Sequence, residues 1–139
     1  MMRVLLDTNV VLDFVLTRQQ FFADADEIFF RLKNSEFEAM VSAITPINVF
    51  YTTRKEKDKA TAFSAVEELL KLVQIAKSNN QIYQSALTLN FSDYEDAVQH
   101  ECAVAENLDA IVTRNAKDYK NSILKVYSPM DFLRYLQAI

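Results

Sequence analysis

Glycine is absent from the 139 residues of the chain, although average usage would supply about ten. This absence excludes the sites built on glycine turns: the Walker phosphate loop, the GxGxxG dinucleotide turn, the GxSxG nucleophile elbow and the EF-hand loop. Tight turns must then fall to asparagine and aspartate, which also tolerate left-handed backbone. Such residues separate the apolar stretches at Asn34, Asn79, Asn80, Asn90, Asn107, Asp109, Asn115 and Asn121.

Cysteine and long apolar runs are also scarce. The single cysteine, Cys102, cannot form an internal disulfide and fits a reducing compartment, where we expect it to be a small buried hydrophobe. No run approaches the roughly 20 apolar residues that span a bilayer, and Asp7 and Asp13 interrupt the apolar N-terminus, unlike a signal peptide. We therefore expect a cytoplasmic protein with no membrane partner.

Charge and composition indicate one folded domain spanning residues 1–139. Half of the residues are hydrophobic and 24% are charged, the balance of a compact protein with one core. The formal net charge of −4 argues against broad electrostatic capture of nucleic acid, although a local basic strip is compatible with it.

The order of apolar patterns predicts an α/β domain. Strands are expected at 4–6, 39–44, 72–76, 110–113 and 124–127, and helices at 9–16, 22–32, 46–59, 60–71, 81–89, 93–107 and from 129 onward. Alternating strands and helices predict a parallel sheet of about five strands with right-handed crossovers. Asn9, Thr45 before Pro46, and the capping box formed by Ser92 and Glu95 are the predicted helix starts.

Acids and amides follow the predicted strands at the point where each strand ends. In a parallel sheet these positions share one edge, where binding sites collect. They are Asp7, Asn48, Asp93, Asp96, Asn115 and Asp118. An oxygen-rich set with no cysteine pair suits Mg²⁺ or Mn²⁺ rather than zinc. Because crowded carboxylates raise one another's pKa, a cation must balance them.

Four segments together resemble the PIN domain, and within it the small single-domain VapC-like ribonucleases. They are VLLDTNVVLDFV, SAITPINVFYTTRK, DYEDAVQHECA and IVTRNAKDY. The resemblance runs nearly end to end, and its most specific parts are the DTN after the first strand and the EDA coupled to TRNxxD[FY]. It implies a three-layer α/β/α fold and a metal-dependent endoribonuclease, in which water attacks a phosphodiester of single-stranded RNA at a cluster of acids.

The resemblance also implies roles for individual residues. Asp7 and Asp96 match acids of the family, Asp118 falls in its last motif, and Asp93 would reach the ion through water; these four are the expected metal ligands. Asn48 stands where the family usually has glutamate, and Asn115 where it often has aspartate. Their oxygens can still serve a catalytic site, but they bring no charge. We therefore expect weaker metal binding than at a four-acid site, with Mn²⁺ favoured over Mg²⁺.

Basic side chains near these motifs are candidates to hold RNA phosphates. They are Arg54, Lys55, Lys57 and Lys59 on one stretch, and Arg114 and Lys117 beside the carboxylates. The first stretch also contains Glu56 and Asp58, and a run of mixed sign is more typical of a solvated face.

Partners are expected as well. The resemblance implies a toxin neutralised by an antitoxin protein, and a homodimer. Five phenylalanines between residues 14 and 30 exceed the need of one core face, which indicates contact with another chain.

Several alternatives remain at this point. Asp7 could cap the next helix, Asp93 and Asp96 could complement a helix dipole, and Glu95 is expected to act only in the capping box. Asp118 could be a turn residue, and His100 a packed histidine.

Alternative functions are a catalytically degenerate PIN domain that binds RNA or a partner, and a haloacid dehalogenase-like phosphohydrolase. The second rests on the similarity of DTNVV to DxDx[TV], in which Asn9 could not donate a proton as an acid.

Overall fold

A computed structural model describes all residues, 1–139, and shows one parallel sheet flanked by helices. The five strands lie in the order β3-β2-β1-β4-β5. They are β1 (Arg3–Leu6), β2 (Glu38–Val41), β3 (Gln74–Ile75), β4 (Ala110–Val112) and β5 (Lys125–Tyr127). The helices are α1 (Thr8–Val15), α2 (Phe22–Lys33), α3 (Ile44–Glu56), α4 (Lys59–Leu72), α5 (Asn80–Ala86), α6 (Tyr94–Ala105) and α7 (Pro129–Ala138), and a 3-10 turn covers Ala116–Tyr119.

The central strand, β1, shows why helices cover both faces of the sheet. Val4, Leu5 and Leu6 are fully buried, and successive side chains of a strand point to opposite faces. Val4 and Leu6 pack in the larger apolar cluster, with residues of α1, α2, α4 and α7, whereas Leu5 packs with α5 and α6 in the other cluster. Helices therefore cover both faces, and the predicted three-layer α/β/α fold is confirmed.

Three predicted helix starts are wrong. Asn9 lies inside α1, whose N-cap position is Asp7. Thr45 lies inside α3, where its buried hydroxyl meets the hydroxyl of Thr8 at 2.8 Å, so tertiary contact replaces capping. Asp93, not Ser92, caps α6 by accepting a hydrogen bond from the Asp96 N–H at 2.9 Å.

The structure also corrects the predicted bounds. The predicted strand at 39–44 gives way to β2, which ends at Val41, and that at 72–76 shrinks to the two residues of β3. In both places a flanking helix takes up residues of the apolar run. The remaining strands differ by one residue at an end. No helix of the protein is at once long enough and apolar enough to cross a membrane.

Turns without glycine rely on left-handed residues of other types. Asn90 (φ 57°) and Asn107 (φ 56°) confirm two predicted turn positions, but Ser35 (φ 59°) and Thr17 (φ 51°) also adopt this conformation. A β-branched residue is rare there because its Cβ substituents crowd the backbone. Thr17 is therefore a point of local strain.

Replacing Thr17 by glycine should stabilise the fold. Relief of left-handed strain contributes about 1–2 kcal/mol, partly offset by the larger backbone entropy of glycine in the unfolded chain, about 0.5–1 kcal/mol. A rise in Tm of about 3 °C is expected in thermal denaturation. Asn90→Gly is the matched control and should change Tm less, since asparagine tolerates this conformation. A lower Tm for Thr17→Gly would contradict the assignment of strain.

Candidate active site

Asp7, at the carboxyl end of β1, is a buried and fully engaged carboxylate. Its side chain accepts hydrogen bonds from Gln99 Nε2 at 3.1 Å, from Thr113 Oγ1 at 2.8 Å and from the Tyr119 hydroxyl at 3.2 Å. Asp7 occupies the N-cap position of α1, as the alternative expected, but its side chain makes no hydrogen bond to the free amides of the helix, so the carboxylate itself does not cap α1. Side chains of α6, the end of β4 and the 3-10 turn thus fix the orientation of Asp7.

Tyr119 links Asp7 to the second predicted acid. Its hydroxyl also lies 3.3 Å from Asp96 Oδ1, so both carboxylates surround one phenolic oxygen. A phenol has a single proton and can satisfy only one carboxylate at a time. Burial, followed by the charges of Asp7 and Asp96, raises the pKa of Tyr119 above its ordinary value, which keeps the phenol protonated.

The pKa of Asp96 reflects both burial and the crowding of acids. Burial, followed by the charges of Asp7, Asp93 and Asp118, raises it from 3.8 to about 7, against the hydrogen bond from Tyr119. Without a cation, Asp96 therefore carries a proton for much of the time near neutral pH. The metal-free site holds less negative charge than its residues would suggest.

A cavity of about 340 Å³ opens above these residues and brings the predicted acids together. Its lining is almost entirely polar and contains a single cation. The residues are Asp7, Thr8, Asn9, Leu12, Arg18, Asn48, Thr52, Asp93, Glu95, Asp96, Asn115 and Asp118. All six residues predicted for the metal or catalytic set thus share one cavity at the carboxyl edge of the sheet, which we call the acidic cavity.

Glu95 belongs to this cavity, and the expectation that it acts only in a capping box is wrong. Its carboxylate accepts hydrogen bonds from Asn48 Nδ2 at 3.1 Å and 3.4 Å. Burial and then the charge of Asp7 raise the pKa of Glu95, against the hydrogen bond from Asn48. In the sequence, the position of Glu95 beside Asp96 in the first turn of α6 indicated this role. The predicted capping box required a helix that begins directly after Ser92, whereas α6 begins one residue later, after Asp93.

The remaining predicted site residues differ in exposure. Asn115 is exposed, and Asp118 is half-buried in the 3-10 turn. Asp93 is exposed and caps α6. Nevertheless, no three His, Cys, Asp or Glu side chains lie close enough to share an ion in this arrangement. For an ion to bind here, a third carboxylate would have to rotate toward it, or water and amide oxygens would have to complete its coordination.

The donor chemistry nevertheless fits a hard cation. Apart from Arg18, every polar side chain that lines the cavity offers a carboxylate, hydroxyl or amide oxygen to an ion. Mg²⁺ is commonly held by one or two carboxylates together with several waters. Asp7 and Asp96 already meet around Tyr119, and Gln99 Oε1 beside them is buried without a hydrogen-bond partner. The residues present therefore suit a water-rich magnesium or manganese site.

The predicted RNA-binding residues fall into different places. Arg114 donates to buried Asp13 from Nε at 2.6 Å and from Nη2 at 3.3 Å, and its guanidinium lies 4.0 Å from the centre of the Phe21 ring. The guanidinium of Arg114 is therefore already bound to a buried carboxylate. Arg54, Lys55 and Lys57 are exposed at the end of α3 and do not line the cavity. Lys117 is exposed on the 3-10 turn beside it.

Arg18 is a residue that the sequence analysis missed. It is the only cation lining the acidic cavity, and its guanidinium lies 3.9 Å from Asp13 and 3.5 Å from Glu56. Nothing in its flanking sequence, a polar turn between helices, separates it from an ordinary surface arginine.

His100 and Cys102 both lie in the protein interior. His100 is buried, with Nδ1 2.9 Å from Glu101 and Nε2 accepting the Ile123 N–H at 3.2 Å. Cys102 is buried as predicted, and burial, followed by the charges of Glu106 and Glu101, raises its pKa to about 11. Neither side chain lines the acidic cavity.

The fold and the acid cavity at the ends of parallel strands define a PIN-type protein, and comparison with known proteins agrees. The family model described as PIN domain matches residues 3–117. This chain belongs to the PIN domain family. The haloacid dehalogenase alternative therefore has no support, and Asn9 instead donates to Asp7 at 3.4 Å.

Solved structures share the fold at low sequence identity. One is VapBC2 from Rickettsia felis bound to a DNA fragment from its promoter, with a TM-score of 0.70 and 20% identity over 91% of this chain and 98% of that chain. Another is VapBC-1 from nontypeable Haemophilus influenzae (0.69, 18%, 93% and 99%). A toxin-antitoxin complex from Klebsiella pneumoniae is also similar (0.67, 22%, 91% and 97%). No curated protein is significantly similar to this chain in sequence.

The raised pKa of Asp96 predicts a pH-dependent penalty in the metal-free protein. An acid whose folded-state pKa lies above its unfolded value favours folding below the unfolded pKa, and that contribution is lost as the pH rises through the folded pKa. For Asp96 the window runs from 3.8 to about 7. Asp96→Asn should therefore be more stable than wild type above this window, by about 1–2 kcal/mol once solvent screening of the half-buried group is included.

Thermal denaturation in the presence of a chelator, across this pH window, measures the difference. Asp26→Asn is the control, because Asp26 is exposed and makes no ion pair or hydrogen bond. Parallel stability profiles for wild type and Asp96→Asn would show that the carboxylates are not crowded as described.

Proposed function

We propose that this protein is a metal-dependent endoribonuclease that hydrolyses phosphodiester bonds of single-stranded RNA, and that it is the toxin of a toxin-antitoxin pair. The observation that carries the proposal is the single cavity lined by Asp7, Asp93, Glu95, Asp96 and Asp118. Structural carboxylates are normally paired with cations, whereas here five of them face one arginine. Such a concentration of charge at the functional edge of a PIN fold favours metal-assisted chemistry.

Asp7, Asp96 and Asp118 would hold Mg²⁺ or Mn²⁺, with Asp93 acting through water. When bound, the ion lowers the pKa of a coordinated water and offsets charge that develops on the phosphate. Gln99, Thr113 and Tyr119 keep the Asp7 carboxylate in one orientation. Tyr119 serves as a hydrogen-bond donor and not as a base, because its pKa is raised.

Asn48 and Asn115 adjust this site without adding charge. The Asn48 amide donates to Glu95, so a carboxylate of α6 supplies negative charge beside the place where the family usually has a glutamate. The side chain of Asn115, on the exposed rim, makes no hydrogen bond; only its backbone bonds, to Thr113 and Asp118.

Metal affinity should consequently be modest, with Mn²⁺ bound more tightly than Mg²⁺. Asn115→Asp adds a carboxylate to the rim and should raise Mg²⁺ affinity on the order of ten-fold, since ligand charge count tunes such sites. Isothermal titration calorimetry measures both quantities, with Asn121→Asp, outside the acidic cavity, as the charge-matched control. Tight, stoichiometric Mg²⁺ binding by wild type would contradict the proposed weakness.

The catalytic proposal predicts RNA cleavage that depends on Mg²⁺ or Mn²⁺ and stops when the ion is chelated. Asp7→Asn and Asp96→Asn should each reduce the rate by at least about 100-fold, because each removes a charge that the ion requires. The measurement is cleavage of a labelled single-stranded RNA on a denaturing gel. Asp26→Asn should retain wild-type activity.

The same assay tests the alternative. Absence of cleavage of every RNA tried, with RNA binding retained, would contradict the nuclease and favour a catalytically degenerate PIN domain that binds RNA. Asn48 and Asn115 are the features that make this second function worth testing.

Partner binding is proposed from the neighbours and from surface phenylalanines. The similar structures include a toxin-antitoxin complex. Of the five phenylalanines between residues 14 and 30, Phe21 and Phe30 remain exposed by 37% and 56%. We expect an antitoxin protein and a homodimer. Co-purification with the product of the adjacent gene and light scattering of the isolated chain test the two proposals separately.

A further inference from the structure

A second cavity adjoins the acidic one and has the opposite character. Its volume is about 690 Å³, and it shares Asp118 with the acidic cavity. The rest of its lining consists of Lys117, Lys120, Asn90, Asn121, Ser92 and Phe91. We call this cavity the basic groove. It contributes two cations next to a cluster of carboxylates that has only Arg18.

The 3-10 turn and the residue after it bring these two lysines to the same cavity. Lys117 lies in the turn and Lys120 directly follows its last residue. Both line the groove, while Asp118 between them also lines the acidic cavity. Neither lysine forms an ion pair within the protein, although the arginines nearest the site, Arg18 and Arg114, both do. The two lysines of the groove are thus free of ion pairs, although Asp118 lines the same cavity.

The walls and floor of the basic groove are held by contacts of their own. Asn121 Nδ2 donates to the carbonyl of Asn90 at 2.9 Å, which ties the loop before α6 to the loop after the 3-10 turn. The Phe91 ring packs edge-on against Tyr119 at 5.7 Å. Tyr119 contacts both Asp7 and Asp96, so Phe91 connects the lining of the groove to the acidic site through one buried ring.

We propose that the basic groove binds the RNA backbone beside the scissile phosphate, with Lys117 and Lys120 contacting two phosphates and Phe91 offering a surface for a base. The proposal rests on the proposed ribonuclease function and gives the substrate a path out of the acidic cavity. Cationic grooves combined with aromatic side chains are the usual means of holding single strands. Amides and a hydroxyl line the rest of the groove, which suits sugars and base edges.

The alternative basic strip at the end of α3 is less well placed. Arg54, Lys55 and Lys57 line neither cavity, and Glu56 and Asp58 interrupt them in sequence. A phosphate bound there would meet carboxylates of the same run. The groove therefore displaces this strip as the main RNA-contacting surface.

RNA binding is measured with a labelled single-stranded RNA of mixed sequence and with Asp96→Asn as the parent protein, so that the probe is not cut. Adding Lys117→Gln and Lys120→Gln should weaken binding on the order of ten-fold at low salt. The plot of log affinity against log salt should become less steep by about 1.4, because each single-strand phosphate contact contributes about 0.7.

A charge-matched control separates the groove from net charge. Lys33→Gln combined with Lys77→Gln changes two exposed lysines that line neither cavity, and the salt slope should stay close to that of the parent. An equal loss in both double variants, or a loss only with Lys55→Gln and Lys57→Gln, would overturn the proposal.

Cleavage by the otherwise wild-type enzyme gives a second readout. Lys117→Gln with Lys120→Gln should raise KM for a long RNA far more than it lowers kcat, and should affect a dinucleotide too short to occupy the groove much less. Equal losses on both substrates would indicate damage to the acidic site and overturn the groove. Unchanged RNA affinity in an enzyme that cleaves would overturn the groove alone, whereas absence of RNA cleavage by the wild-type enzyme would overturn the proposed function as well.

Discussion

The architecture of the site depends on one arrangement, the buried carboxylate of Asp7 held by hydrogen bonds from Gln99, Thr113 and Tyr119. Burying a charge is costly unless donors surround it, and here the donors come from α6, the end of β4 and the 3-10 turn. The bonds that satisfy Asp7 therefore also fix those three elements around it. Asp96 and Asp118 are carried on two of the same elements, so the anchoring of one acid positions the others.

The same geometry places more negative than positive charge in the cavity, and the side chains that line it do not balance the excess. Five carboxylates line the cavity, and Arg18 is the only cation among them. A neighbouring carboxylate, Asp13, is compensated, since Arg114 binds it directly and stacks on Phe21. The fold thus neutralises a structural acid completely and leaves the cavity acids short of positive charge. Burial, and then the charges of neighbouring acids, raise the pKa of Asp96 to about 7, and a divalent ion would offset the contribution of those charges.

The sequence predicted those parts of the molecule that depend on strong, local patterns. The uninterrupted run Val4 to Leu6 indicated a strand buried on both faces, and polar residues at strand ends were correctly expected at one edge, because parallel strands share that edge. Glu95 and Arg18 were missed because their roles depend on where helices begin and on contacts across the chain. The ion pair of Arg114 was not predicted for a related reason: its partner, Asp13, is 101 residues away. Capping motifs failed where tertiary contacts, such as that between Thr45 and Thr8, took the same side chain.

In the proposed cation site, Asp7 and Asp96 form the base and the remaining ligands come from the rim. Anomalous scattering from crystals soaked in Mn²⁺ tests this arrangement, because the method locates the ion without reference to activity. We expect a peak within coordination distance of both Asp7 and Asp96 that is lost in Asp96→Asn. A well-occupied Mn²⁺ bound elsewhere, with the acidic cavity empty, would show that these two acids are not the base of a cation site.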